Sequence, residues 1–140
     1  MLRPLSPDEI RARDDALAAA ESLLGRKDFG TAELQETYDH VLSLNWDRET
    51  IASDPTIVVL GMALGALFVR DEGLEWARIE DEYGSETVVR LPNFQINCAP
   101  ISMLQKRLMD GVSVDVADLI QGVSVGMRRH VAEGRVDRSQ

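Results

Sequence analysis

Ile57 to Val69 is an unbroken apolar run of 13 residues, and it restricts the folds open to this chain more than any other feature. A helix that crosses a bilayer needs about 20 such residues. The run is therefore read as a helix buried in a protein core, apolar on every side. Asp54 and Pro55 mark its start as an N-cap followed by proline at the first helical position. Gly73 is placed to end it. Gly61 and Gly65 stand four apart, so one stripe of the helix carries no side chains and another backbone can approach closely.

Two helices are expected before it. Ser6, Pro7 and Glu9 form a capping-box pattern at the start of the first, and Gly25 ends it. The second begins near Thr31, carries Leu34, Tyr38, Val41, Leu42 and Asn45 on one side, and stops around Trp46, where Asp47 and Arg48 open a polar connection. After Gly73 the period changes. Leu74–Glu80 and Glu86–Leu91 read as strands around a turn at Asp81–Ser85, and Phe94–Cys98 as a third strand after a Pro92–Asn93 turn. Helices over Pro100–Met109 and from near Asp115 complete the chain, and residues 135–140 are expected to fray. The resulting fold class is α+β, with helices flanking a three-stranded antiparallel meander in the order α-α-α-β-β-β-α-α. A chain of 140 residues is the size of one domain.

The net charge of −9 is unevenly placed. Residues 28–86 hold three basic and fourteen acidic side chains, a net of −11. Such a stretch repels phosphate backbones, which argues against nucleic acid as a partner and for either a solvated face or a basic protein partner. The first residues are charged and lack the apolar segment of a signal peptide, and Cys98 is the single cysteine; both features point to the cytoplasm.

Catalytic chemistry is poorly signalled. Cys98 follows the alternation of Phe94 and Ile96, so it is read as a structural residue on an apolar strand face; a nucleophilic thiolate needs a nearby base or cation. His40 and His130 lie in no motif. Glu36 and His40 are spaced for one helix face, but zinc takes three or four protein ligands. No metal or other cofactor is expected. Glu80, Asp81 and Glu82 crowd three carboxylates into a strand end and turn. Lys106 and Arg107 supply cations on the following helix, and Asp81 with Arg107 is the expected ion pair.

An ordered set of motifs remains: Leu60-Gly61-Met62-Ala63-Leu64-Gly65, then Trp76, then Asp81-Glu82-Tyr83-Gly84, then Pro100-Ile101-Ser102-Met103 with Lys106-Arg107. Over roughly residues 34–120 the chain resembles the bacterial family catalogued as domain of unknown function 3806. That family's pattern has a carboxylate after the Lys-Arg pair, where this chain has Met109. The resemblance implies an architecture rather than a reaction. It also implies that Trp76, Asp81, Tyr83, Lys106 and Arg107 share one neighbourhood.

Three functions follow as expectations. The leading one is a non-catalytic cytoplasmic protein-binding module, adaptor-like or inhibitor-like, whose acidic surface meets a basic partner. The second is a small enzyme or ligand-binding domain built on Asp81, Tyr83, Lys106 and Arg107, which could supply acid, base and anion clamp. The third is self-association through the Gly61/Gly65 stripe or a sheet edge. Monomer and homodimer both stay open, and no membrane contact is expected.

Overall fold

The computed structural model describes residues 1–138. Its elements are β1 (Leu2–Arg3), α1 (Pro7–Leu24), α2 (Thr31–Ser43), α3 (Arg48–Ser53), α4 (Pro55–Glu72), β2 (Glu75–Asp81), β3 (Gly84–Arg90), β4 (Asn97–Cys98), α5 (Pro100–Met109) and α6 (Val116–Ala132). The fold class is α+β. Among the described residues six helices accompany one four-stranded antiparallel sheet of order β1-β2-β3-β4.

Helix α4 is the hub, because an all-round apolar helix needs partners on every side. It touches each of the other five helices or the sheet hairpin: α1, α2, α3, α5, α6, β2 and β3 all pack on it. Ile57, Leu60, Ala63, Leu64, Leu67 and Phe68 are buried in one cluster with residues of every other helix. Full burial of an aliphatic side chain of this size stabilises by about 1.5–3 kcal/mol. The glycine stripe is where α5 and the sheet press closest. A Cβ added at Gly61 lies 2.4 Å from the Ile101 Cα, and one at Gly65 lies 2.5 Å from Cη2 of Trp76. Gly61 and Gly65 are both buried, and the stripe is filled from within the chain. Among the described residues no helix is long and apolar enough to cross a membrane.

The expected helix starts form by the expected chemistry. Ser6 Oγ accepts from the Glu9 N–H at 3.2 Å, and the Glu9 carboxylate accepts from the Ser6 N–H at 2.8 Å. The Asp54 carboxylate accepts from the Thr56 N–H at 2.8 Å to open α4. Gly25 and Gly73, with φ of +82° and +71°, close α1 and α4 in the left-handed conformation that glycine adopts freely.

Four features differ from the sequence reading. The polar connection after α2 contains α3, because the Asp47 carboxylate caps the Thr50 N–H at 2.8 Å and Ile51 is buried as its anchor. The third strand is confined to Asn97–Cys98. Asn93 takes a positive φ of +72°, and the Phe94 N–H donates to the Leu91 carbonyl at 3.2 Å, so the turn consumes the first half of the expected strand. A fourth strand, β1, pairs Leu2 with Ile79 and Arg3 with Arg78; two residues are too few to show a period. The segment expected to fray is tied down as far as it is described: the Gln95 N–H donates to the Asp137 carbonyl at 2.8 Å, and Arg138 bridges to Phe94 and stacks its guanidinium 5.7 Å from the ring centroid. Residues 139 and 140 lie outside the described residues.

Candidate functional site

The five residues singled out from sequence fall in separate places. Trp76, near the start of β2, lays its ring in the notch at Gly65, with the Pro100 ring beside the same spot. It is a packing residue. Asp81 ends β2, and its carboxylate accepts from the Tyr83 N–H at 2.8 Å, which closes the two-residue turn to β3. Tyr83 is 90% exposed at the tip of that turn. Lys106 is exposed on the last turn of α5, and half-buried Arg107 donates to the Met103 carbonyl at 3.1 Å. Among the described residues no ion pair or hydrogen bond joins Asp81 or Tyr83 to Lys106 or Arg107, so the expected Asp81–Arg107 pair does not form. The reason is direction. The hairpin tip runs out beside the first residue, whose amino group donates to the Glu80 carbonyl at 2.6 Å. The last turn of α5 instead leads toward α2, where the Arg107 charge lies near Tyr38.

A different carboxylate closes a network at the start of the chain. The Glu9 carboxylate binds Arg3 through two contacts of 2.6 and 2.8 Å, Arg3 also reaches Glu80 at 2.6 Å, and Arg78 lies 3.5 Å from Glu9. The Arg3 hydrogen bonds, with the Ser6 N–H next in weight, hold the Glu9 carboxyl down at about 2. This network fixes β1 and the start of α1 to β2.

A separate open feature lies between α2 and the loop that joins α5 to α6. Two side chains of α2, Gln35 and Tyr38, hold the loop between α5 and α6 by three hydrogen bonds. Tyr38 Oη donates to the Val112 carbonyl at 2.7 Å, and the Gln35 amide donates to the Val114 carbonyl at 2.7 Å while accepting from the Val116 N–H at 2.8 Å. Burial pushes the Tyr38 phenol up to about 12, so it remains a hydrogen-bond donor at any physiological pH. The loop is thereby held beside α2 without covering it. Two adjoining depressions of 230 and 630 Å³ result, both lined by Leu42. Leu42, Trp46, Met109 and Val114 contribute apolar surface, and Asp39, Asp110 and Asp115 contribute carboxylates. Among the described residues none of these three has an ion-pair partner: Asp39 accepts from the Gln35 amide at 2.9 Å, and Asp115 caps α6 through the Asp118 N–H at 3.0 Å. The groove mixes apolar and polar lining, with three carboxylates along it. Leu44 and Val112, next in sequence to lining residues, are large and exposed.

The sequence reading missed this groove because its two walls are about seventy positions apart in the chain. One signal was present: Gln35, Asp39, Leu42 and Ser43 follow helical spacing as a second stripe of α2, beside the core stripe. The remaining chemical candidates stay apart. Burial alone pushes the Cys98 thiol up to about 12. Glu36 and His40 are joined by no third group, and among the described residues no cluster of three or more His, Cys, Asp or Glu could hold a metal ion.

These features define an α+β protein in which one buried helix carries a helical layer, a small antiparallel sheet and an open acidic trough. The chain belongs to the family described as domain of unknown function (DUF3806), which it matches over residues 36–119. The matched span includes α4, the β2–β3 hairpin, α5 and every groove residue named above except Gln35; α1 and β1 lie outside it. No curated protein and no solved structure matches the chain.

Proposed function

We propose that this protein is a non-catalytic protein-binding module that receives a basic, apolar-faced segment of a partner protein in the trough between α2 and the α5–α6 loop. The observation that carries the reading is the combination in one groove of Leu42, Met109 and Val114 with Asp39, Asp110 and Asp115, carboxylates that form no ion pair among the described residues. Apolar lining gives a partner its anchor, and carboxylates along it steer a partner of the other sign and raise its association rate. The wider charge pattern agrees, since residues 28–86 hold three basic and fourteen acidic side chains. A single cysteine and the family resemblance support a cytoplasmic setting in a bacterial cell, where the module would act as an adaptor or as an inhibitor of a basic protein.

The test is comparative capture from the native cell at low salt with three baits: the wild type, Leu42→Asp, and the double variant Asp39→Arg/Asp110→Arg. A stoichiometric partner held by the wild type and lost by both folded variants supports the reading. Partners recovered equally by all three baits, or none by any, contradict it.

A further inference from the structure

Outside the trough a second concavity combines apolar lining with fixed charges. It measures 310 Å³ and lies among α1, α4, the β2–β3 face and the start of α5. Met62 of α4 and Ile101 of α5 form its apolar floor, with Val58 of α4 at the mouth. Its α1 wall is open because Ala12 and Ala16, one helical turn apart, present only methyl groups. The close approach at Gly61 sets the opposite wall, since it brings the Ile101 backbone down onto α4. Val58 remains 45% exposed at the mouth, unusual for a residue within the most apolar run of the chain.

The polar end is built around Arg78. Its Nε donates to Ser85 Oγ at 2.6 Å and its Nη1 to Thr87 Oγ1 at 2.8 Å, both on the facing strand. Two neutral hydroxyls thus fix the guanidinium plane, and its charge is shared with Glu9. Glu9 lies 3.5 Å from Arg78 but is already bound through both oxygens to Arg3. Glu86, the other carboxylate of the lining, accepts from Ser102 Oγ at 2.5 Å. Among the described residues Arg78 Nη2 makes no hydrogen bond. A second cation, Arg13, lines the same space; its Nε and Nη2 engage Asp14, and Nη1 makes no hydrogen bond among the described residues.

We infer that this cleft is a binding site for a small organic carboxylate with an apolar body. The carboxylate meets Arg78 and Arg13, and the body lies along Val58, Met62 and Ile101. Guanidinium groups suit carboxylates because planar donors match planar acceptors, and pockets of this kind combine apolar lining with a few fixed polar groups. The α1 wall, with Glu9, Ala12, Arg13 and Ala16, lies outside the matched family span, and the remaining lining lies inside it. It is independent of the protein-binding trough.

The test is an amide chemical-shift titration of the full chain with hexanoate, hexanol and hexylamine as probes. Hexanoate is expected to give saturable shifts at Met62, Arg78, Thr87 and Ile101. Arg78→Gln weakens its binding about tenfold, the effect of one charge-assisted hydrogen bond. Val58→Asp, at an exposed position that leaves the core intact, weakens it as strongly by adding a like charge at the mouth. Hexylamine and hexanol bind more weakly than hexanoate. The inference is overturned by non-saturating shifts, by equal binding of the three probes, by shifts centred on α2 and the α5–α6 loop, or by hexanoate binding that survives both substitutions.

Discussion

Replacing Gly61 with alanine tests the packing that organises the molecule. The added methyl carbon would sit 2.4 Å from the Ile101 Cα, 2.6 Å from its Cγ1 and 2.9 Å from its Cβ. Two of these atoms are backbone or directly attached to it, so no rotamer change relieves the clash, and α5 must move off α4. Overpacking a filled core costs typically 1–3 kcal/mol, and a backbone obstacle puts this site at the upper end. Alanine also improves helix propensity over glycine by about 1 kcal/mol. The net expectation is a loss of about 2 kcal/mol. For a chain of this length that corresponds to a fall of about 8 °C in Tm. Gly122→Ala and Gly126→Ala in α6 provide the control, because a Cβ at either position meets nothing within 4 Å. Each should gain about 0.5–1 kcal/mol from propensity alone. Urea unfolding, followed by circular dichroism with the m-value held common, reads all three. If Gly61→Ala is as stable as the α6 variants, α5 does not rest on the glycine notch and the reasoning fails.

Four further outcomes are expected. Tyr38→Phe leaves the Val112 carbonyl without its partner and should cost about 1–2 kcal/mol, measured by the urea midpoint; no loss would mean the loop is not held through Tyr38. Glu9 titrates at about 2 against an ordinary 4.5, so its contribution is complete above pH 4.5 and is lost as the pH falls toward 2. Glu9→Gln should therefore flatten the fall of Tm across that range, and an unchanged slope refutes the Arg3–Glu9 pairing. Asp81→Asn and Lys106→Ala should add without coupling in a double-mutant cycle, since the two side chains share no contact; a clear coupling energy would restore the neighbourhood read from sequence. Cys98, whose thiol burial pushes up to about 12, should react with iodoacetamide at pH 8 far more slowly in the native protein than in urea.

The parts legible in sequence were those written in local chemistry. The Ser6 capping box, the Asp54-Pro55 start of α4 and the Gly73 stop each depend on residues a few positions apart, and each forms as read. The apolar run gave the buried hub, and the Gly61/Gly65 spacing gave a close approach. What approaches was not legible, because Ile101 and Trp76 come from later elements and their placement depends on where the hairpin turns the chain. β1 escaped for a related reason: Leu2 and Arg3 become a strand only because β2 is there to pair with them. Asp81 and Arg107 looked like partners because opposite charges attract, but that attraction is weak at exposed positions. Local turn closure by Asp81 and the direction of α5 decide the outcome instead. The trough was hidden in the same way. Asp39 and Asp115 line one depression because Gln35 and Tyr38 bind the α5–α6 loop beside α2.

The protein-binding claim is tested most directly by titrating the isotope-labelled chain with a 14-residue amphipathic peptide of leucine and lysine and following its amide shifts at low and high salt. Saturable shifts are expected at Asp39, Leu42, Met109 and Val114, weakening steeply as salt rises, absent in Leu42→Asp and absent with a lysine-only peptide. Shifts spread evenly over the acidic surface, with Asp71, Glu72 and Glu82 affected as strongly as the trough, would contradict it.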